Sequence, residues 1–495
     1  MLIRHTLAYL PAQFLGPMAQ LGAVLLLTHA LGAADYGLVM LIFAAQEVVF
    51  LSCLSWWTSY YLRYGGQLAA AQAASTGGAG AGLASTEAAV LLVSALAQLL
   101  VTMGIILATD PSLSAAFLAS ACAYTLTRSL LNFLSERARR EAAIGAYTAV
   151  QVLGPLGGLA LVGGLMWLDA TTPTSVLLAF AVVQAVVGLA VAARFGLLVR
   201  PGKLDREVLR SARRFGAPVV LAHSLSWLGG NAIRFVVHHG AGAAALGLLS
   251  VGWGLATRLS GVAAMVVTAA AYPLAIRAMD AGDADGARRQ LADNSVLLLA
   301  LLAPAGFGFW ALSPGFVPWL VASEYQALTV QILPWALLGA CVRNLRMHGW
   351  DQMYLLFEAP RDMVMLDVIE AVTMTVAAMV GLWWGGVAGA VAVTGAATVA
   401  LAVLDAWHLR RRFGLVLPLA AYVRVLVAAT AMAALLQAAS AWGWQAEPRA
   451  APLLLAAAVG ATVYLLALTV LFPQQRRVVC SRAWDWWQAR REAQS

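Results

Sequence analysis

Apolar runs of about 20 residues follow one another along almost the whole chain, and only short polar stretches separate them. A run of this length suits a helix that crosses the hydrocarbon core of a bilayer. Hydrophobic residues make up 62% of the sequence and charged residues only 11%, which excludes a soluble globular protein. The fold class is therefore predicted to be all-α integral membrane. About 14 spans are expected, centred near Val24, Phe50, Leu96, Tyr124, Leu156, Val186, Leu228, Leu259, Leu302, Leu337, Met374, Thr394, Met432 and Leu465.

Positive charge is concentrated in every second connection between these runs. An excess of Lys and Arg marks the cytoplasmic side of a membrane protein. Both termini are therefore predicted to be cytoplasmic, in agreement with an even number of spans. The net charge of +8 reflects this bias, so we infer no nucleic-acid partner from it. The basic groups include Arg137, Arg139 and Arg140, the run from Arg206 to Arg214, Arg277, Arg288 and Arg289, Arg410 to Arg412, and Arg476, Arg477 and Arg482.

The second half of the chain contains a weakened copy of a segment of the first half. Residues 27–38 read LTHALGAADYGL, and residues 237–248, at an offset of 210 positions, read VHHGAGAAALGL. His29 aligns with His239 and Gly37 with Gly247, and each copy joins two long apolar runs. Internal repeats of this kind are characteristic of secondary transporters, in which two related bundles move around a site near the midplane.

The repeat and the basic stretch near the middle of the chain predict the domain organisation. Arg206, Arg210, Arg213 and Arg214 recur at helical spacing, which favours an amphipathic cytoplasmic helix on anionic headgroups. The predicted parts are a six-helix bundle (1–198), this linker (199–215), a second six-helix bundle (216–412), two additional spans (413–473) and a cytoplasmic tail (474–495).

Arg258 stands out because it lies near the middle of the eighth predicted span. A charge at a helix centre costs roughly 3 kcal/mol on insertion scales, so it requires a partner or a function. Its guanidinium could bind an anionic headgroup, since it stays charged and grips phosphate bidentately. An interhelical ion pair is the alternative.

Glu47 lies in the second predicted span, and the repeat aligns it with Thr257, next to Arg258. A carboxylate and a guanidinium at similar depth could bind a coupling proton or pair when the cavity closes. A static structural pair is the alternative interpretation.

Four further basic residues lie within predicted spans. Arg234 and His29 could line a cationic cavity, although Arg234 could also reach the outer surface and His29 could be hydrogen-bonded within the bundle. Arg128 and Arg343 lie in the cytoplasmic thirds of their spans, where positive-inside anchoring is the alternative to substrate binding. Asp367 and Glu370 are expected near the start of the eleventh helix, where negative charge suits the helix dipole.

Catalytic groups, metal sites and cofactors are not predicted. The four cysteines, Cys53, Cys122, Cys341 and Cys480, are scattered, and none has a neighbour at metal-binding or redox spacing. A membrane glycosyltransferase, polymerase or ligase usually needs a sizeable outer loop, and the outer connections here are short. An enzyme is therefore not expected.

With these residues in view, the chain resembles the polysaccharide transporters of the MATE-like multidrug/oligosaccharidyl-lipid/polysaccharide (MOP) superfamily, the Wzx-type O-antigen and exopolysaccharide flippases. The first helix is followed by a Leu-Gly and aromatic-Gly pattern similar to that of the family. At the position where an arginine is common, this chain has His29, and Ile233 stands where an acid often precedes the arginine of the seventh helix. The resemblance rests on Thr28 to Leu38, Phe215 to Pro218, Trp227, Arg234, Leu246 to Ser250, and Tyr272-Pro273.

The resemblance implies two pseudo-symmetric six-helix bundles in a V around a central cavity, plus two C-terminal helices, in the inner membrane. The implied substrate is an undecaprenyl-diphosphate-linked oligosaccharide, moved from the cytoplasmic to the periplasmic leaflet by alternating access. Membrane lipids, a proton or sodium as coupling ion, and polysaccharide polymerase or assembly proteins are the other implied partners. Lipid II-type flippases and MATE-like drug or cation antiporters have the same fold and remain alternatives.

Overall fold

The structure is a computed structural model that describes residues 15–16, 18–19, 21–74, 81–199, 204–441 and 450–474. Regular structure in these ranges is helical throughout. Each of the 14 predicted span centres falls within a helix. The prediction of an all-α membrane fold is therefore confirmed.

The helices are numbered in chain order. The first half contains α1 (Leu21–Ala30), α2 (Ala33–Cys53), α3 (Ser55–Ala74), α4 (Ala81–Thr109), α5 (Ala115–Arg140), α6 (Ile144–Trp167) and α7 (Pro173–Arg194). The second half contains α8 (Arg206–Asp280), α9 (Ala284–Leu320), α10 (Ser323–Leu345), α11 (Gln352–Leu356), α12 (Pro360–Phe413), α13 (Leu419–Ala441) and α14 (Ala450–Leu471), with a π-helical turn at Arg346–Trp350.

Two of these helices, α8 and α12, each contain two of the predicted spans. In α8 the spans are separated at Gly242, which has φ 85° and ψ 178°. In α12 they are separated at Gly385 and Gly386, and Gly386 has φ 62°. Glycine adopts positive φ without the steric penalty that a Cβ atom brings. Each long helix is therefore kinked at a glycine.

The break in α8 corresponds to a break in the first copy of the repeat. Gly32 has φ −69° and ψ 166° and separates α1 from α2, and it aligns with Gly242. Both copies therefore contain a helix, a glycine break and a second helix.

The helices form two compact units. The first contains residues 1–255 and 364–397, and the second contains residues 256–363 and 398–495. In the first unit α7 packs against α5 and α6, and Gly158 leaves room for the Phe180 ring. In the second unit α9 packs against α10 and α13, and Tyr464 of α14 donates a hydrogen bond to the Ala300 carbonyl at 2.8 Å. Small residues permit such close approach of membrane helices.

A buried ion pair connects α4 and α5 within the first unit. Arg137 Nη1 lies 2.7 Å from Glu87 Oε2, and the Glu87 side chain is 1% exposed. Arg140, one turn further along α5, donates to the Gly65 carbonyl at 2.8 Å and stacks over the Tyr61 ring. The arginines at the end of α5 therefore hold helices of the first unit together.

Candidate functional site

Glu47 and Trp227 form a polar link between α2 and α8 in the first unit. Trp227 donates its Nε1–H to Glu47 Oε2 at 2.8 Å, and Glu47 is exposed. Asn231 donates to the Trp227 carbonyl at 3.0 Å, one turn further along α8. Residues 227, 231 and 234 share a helix face, since they are spaced four and then three apart. Arg234 therefore follows Trp227 and Asn231 on one face of α8.

Arg234 is half-buried in this membrane helix. Its Nε atom is buried and has no hydrogen-bond partner within the described part of the chain. A buried donor without a partner costs free energy, so the site favours a ligand that can accept its hydrogen bond. A phosphate or carboxylate oxygen would meet this requirement.

Arg128 of α5 lies close to the same group. The charges of Arg128 and Glu47 both act on the hydroxyl of Tyr124, which is buried. The Tyr124 ring stacks on Phe43 of α2 at a centroid distance of 4.8 Å. Three of the predicted site residues, Glu47, Arg128 and Arg234, are thus placed on α2, α5 and α8 of one unit.

His29 has a simpler environment at the end of α1. The side chain is exposed, and Nδ1 lies 3.0 Å from the Leu25 carbonyl of the preceding turn. This bond agrees with the interpretation that the imidazole is hydrogen-bonded within its own bundle. Its predicted role in substrate binding is a proposal.

The turn after α4 places a negative charge near His238 of α8. The hydroxyl and amide of Ser112 donate to Asp110 Oδ1 at 2.6 and 2.9 Å. These bonds lower the pKa of the Asp110 carboxyl, which lies outside the membrane spans and carries a charge that acts on His238. His238 follows Arg234 by four residues, so the two side chains lie on the same face of α8. This face therefore extends from Trp227 to the turn after α4.

The other two predicted arginines lie in the second unit, on α8 and α10. Arg258 and Arg343 are both half-buried, and both interact with other groups. Asn344, next to Arg343, donates to Ser260 Oγ at 3.1 Å and connects the two helices. The Arg343 charge also acts on His348, whose Nδ1 lies 2.9 Å from Thr268 Oγ1. The second unit therefore has its own set of basic groups.

The two glycines aligned by the repeat meet each other in the first unit. A Cβ atom added at Gly37 would overlap the Ala243 carbonyl oxygen, and one added at Gly247 would overlap the Ala33 carbonyl oxygen. The amide nitrogen of each glycine lies 3.0 Å from the Cβ position of the other. The contact is reciprocal, as expected where two copies of one segment pack about a pseudo-twofold axis.

An apolar groove lies on the second unit between α9, α10 and α13. Its volume is about 260 Å³, and hydrophobic side chains and small residues line it almost completely. The lining includes Leu302, Phe307, Trp310, Leu337, Cys341 and Leu426. A groove of this composition fits an alkyl or polyprenyl chain.

Sequence reasoning was wrong about the environment of two acids. The helix that carries Asp367 and Glu370 begins at Pro360, so neither residue lies in its first turn. Both are buried, at 6% and 2% exposure, and a Cβ atom added at Gly229 would lie 2.8 Å from Glu370 Cγ. These carboxyl groups therefore lie inside the first unit and do not cap a helix.

Comparison with known proteins gives the same architecture. Neither a protein-family model nor a curated protein matches the chain. Among solved structures, lipid II flippase MurJ in an inward closed conformation superposes with a TM-score of 0.73 at 11% identity, covering 96% of this chain and 99% of MurJ. A multidrug resistance MATE family transporter of the MOP superfamily superposes in its inward-facing conformation with a TM-score of 0.62, at 15% identity and with 81% and 94% coverage. Its outward-facing counterpart gives 0.52 at 14% identity, with 83% and 95% coverage.

The chain has the fold of MurJ and the MATE transporters. The predicted fold is therefore confirmed at the level of architecture, and these structural neighbours are transporters.

Proposed function

We propose that the protein is a flippase for a polyprenyl-diphosphate-linked oligosaccharide, the repeat unit of lipopolysaccharide O-antigen or of an exopolysaccharide. It moves this lipid from the cytoplasmic to the periplasmic leaflet of the inner membrane by alternating access. The observation that carries the proposal is the presence of half-buried arginines on membrane helices of both units, Arg128 and Arg234 in one and Arg258 and Arg343 in the other.

Half-buried arginines on membrane helices have the chemistry needed to bind a diphosphate. Guanidinium groups stay charged in the membrane and form paired hydrogen bonds with phosphate oxygens, which makes them selective for anions. Arg234 has a buried Nε atom with no hydrogen-bond partner within the described residues, so bound phosphate would satisfy it. We assign Arg258 to the diphosphate, and we propose Arg234, His29, Arg128 and Arg343 as further substrate-binding residues.

The apolar groove on the second unit supports a lipid substrate. Its walls are formed from α9, α10 and α13, with Trp310 and Phe307 among them. A polyprenyl chain has no polar atoms, so it would bind there by apolar contact alone. A small hydrophilic substrate would make no favourable contacts with such an apolar surface.

Alternating access requires a contact that opens and closes during the cycle. The crossing of Gly37 and Gly247 fits this role, because backbone packs directly on backbone there and the two segments are repeat copies. Glu47 is the proposed coupling residue. Its bond from Trp227 would be released or exchanged when the carboxylate binds a proton or pairs with an arginine.

Two other substrates are compatible with the fold. Lipid II has the same diphosphate and polyprenyl groups, and the similarity to the lipid II flippase MurJ favours it as the first alternative. A drug or organic cation is the second, and it would use an exposed acid in a span, for which Glu47 is available.

Translocation in proteoliposomes distinguishes these substrates. Fluorescent O-antigen-type diphosphate lipid, fluorescent lipid II and a fluorescent organic cation would be compared, with protein-free vesicles and a polyprenyl monophosphate lipid as controls. We expect translocation of the first lipid, with weaker or no movement of the monophosphate. Movement of lipid II alone would assign the protein to the lipid II-type flippases, and exchange of the cation alone would refute the flippase proposal.

A further inference from the structure

A cluster of buried polar side chains lies where α10 ends in the second unit. The chain there forms one π-helical turn, Arg346–Trp350, before α11 begins. Turns of this type break the regular helix hydrogen bonds and occur frequently at functional sites. We name the group the π-turn cluster, and its members are Arg346, Asp351, Tyr354, Asp405 and His408.

Short contacts join these side chains. Arg346 Nε lies 3.5 Å from Asp351 Oδ2, and the Tyr354 hydroxyl donates to Asp405 Oδ1 at 2.7 Å. The carboxyl groups of Asp351 and Asp405 also interact with each other. Two carboxyl groups that share a site repel each other when both are ionised, which favours a proton on one of them.

Because the pair is buried, its protonation state changes the free energy of this site. Arg346, Asp351 and Asp405 are exposed by only 3%, 8% and 2%. Two ionised carboxylates would place two like charges close together in this buried site, which is costly. Asp405 Oδ2 is buried and has no hydrogen-bond partner within the described part of the chain, so a proton on this oxygen would displace no donor.

The charged and polar groups around the pair have further interactions of their own. His408 lies on α12, its ring stacks on Tyr354 at 6.3 Å, and its charge acts on Asp405. Asp362 already forms an ion pair with Arg412 at 2.9 Å. The neighbouring residues of α9 and α13 are also engaged, since Arg288 donates to the Phe413 carbonyl and Tyr422 accepts a hydrogen bond from Trp350.

We propose that Asp351 and Asp405 form a proton-binding site. The pair holds one shared proton while the ends of α10, α11 and α12 are packed as described here. When these ends separate and water enters, the site loses the proton and both carboxylates ionise. This role rests on the proposed transport function: the proton of this pair contributes to coupling the cycle to the proton gradient, in addition to any role of Glu47.

Infrared spectroscopy of the purified protein tests the site without any transport substrate. The carbonyl band of protonated carboxylic acids is followed through a pH titration in wild type, Asp405→Asn and Asp351→Asn. Asp362→Asn is the matched control, because it removes a carboxylate of the same region that is already paired with Arg412. We expect one component of the band at neutral pH that both cluster variants lose and the control retains.

Tyr354→Phe gives a second test that leaves both carboxyl groups in place. The hydroxyl donates to Asp405, and a hydrogen bond to a carboxylate stabilises its ionised form. Removing it should shift the midpoint of the band upward by about one to two pH units. A band that neither cluster variant changes, or an unchanged midpoint in Tyr354→Phe, would overturn the proposed site.

Transport measurements then test the coupling. In proteoliposomes with an imposed pH gradient, wild type and Asp362→Asn should respond to the gradient, and Asp405→Asn should transport at a rate that is independent of it. If Asp405→Asn keeps the wild-type response although its band is lost, the coupling role is refuted and the flippase proposal stands. If wild type moves no lipid while the band behaves as expected, the proposed function fails and the proton site remains.

Discussion

Replacing Gly37 by Ala should disrupt the crossing of α2 with the second span of α8. The added methyl group would overlap the Ala243 carbonyl oxygen, which is backbone and cannot rotate away. The helices must therefore move apart. Gly247→Ala should act in the same way on the Ala33 carbonyl oxygen.

The magnitude follows from two opposing contributions. Alanine favours the helix over glycine by roughly 0.5–1 kcal/mol. Overpacking of a tight contact typically costs about 1–3 kcal/mol, and here the clash is with backbone on both sides. Relative to a glycine-to-alanine change elsewhere, Gly37→Ala should destabilise the packed crossing by about 1–3 kcal/mol. This free-energy difference corresponds to about a 5- to 150-fold increase in the population of molecules in which the crossing is open.

Thiol accessibility measures this population. With the native cysteines replaced, Ala33→Cys puts a thiol at a position that is 4% exposed. Its labelling by a maleimide in purified protein should accelerate about 5- to 150-fold in the Gly37→Ala background. The matched control is Gly104→Ala on α4, where nothing lies within 4 Å of the added Cβ atom.

The double variant provides a further test of the geometry. Gly37→Ala and Gly247→Ala affect one crossing, so their effects on unfolding temperature and labelling should be less than additive. Equal labelling rates in Gly37→Ala and Gly104→Ala would refute the reasoning, because the crossing would then tolerate a methyl group.

Three further changes have defined outcomes. Arg137→Ala leaves its buried partner Glu87 on α4 without an ion-pair partner and should cost about 3–5 kcal/mol of stability. Arg139→Ala removes an exposed ion pair and should cost at most about 1 kcal/mol. Thermal unfolding in detergent compares the two variants, and equal losses of stability would contradict this account. Trp227→Phe removes the hydrogen bond to Glu47 and should slow transport. Glu47→Gln keeps a hydrogen-bond acceptor but loses the charge. Normal gradient-driven transport by Glu47→Gln would exclude Glu47 as the coupling residue. Ala303→Trp fills the apolar groove and should slow translocation of a long polyprenyl lipid more than that of a short-chain analogue, and equal slowing of the two would argue against a groove for the tail.

The positions of the spans could be predicted from the sequence because each depends on a local property. A run of apolar residues near Leu302 or Leu465 predicts a helix wherever its neighbours lie. The aligned glycines were visible for a similar reason, since Gly37 and Gly247 occupy equal places in two copies of one segment. The repeat indicates equivalence, and the structure adds that the two residues touch.

Partners distant in the sequence could not be predicted in this way. Trp227 is 180 positions from Glu47, and no pattern in either helix indicates their hydrogen bond. The π-helical turn has no sequence signature, so Asp351 and Asp405 gave no signal of their contact. Asp367 was misplaced because its helix begins earlier than the hydropathy suggests, at Pro360.

The most direct test of the central claim is translocation of a fluorescent polyprenyl-diphosphate oligosaccharide in proteoliposomes, with wild type beside Arg258→Ala and Arg258→Lys. Charge-assisted hydrogen bonds contribute about 1.5–3 kcal/mol each, so the Ala variant should lose more than about tenfold in rate. The Lys variant should recover only part of it, because an ammonium cannot grip phosphate bidentately. Insertion and folding of each variant are checked by its yield and unfolding temperature. Movement of the lipid at the wild-type rate by Arg258→Ala would contradict the assignment of the diphosphate to this arginine.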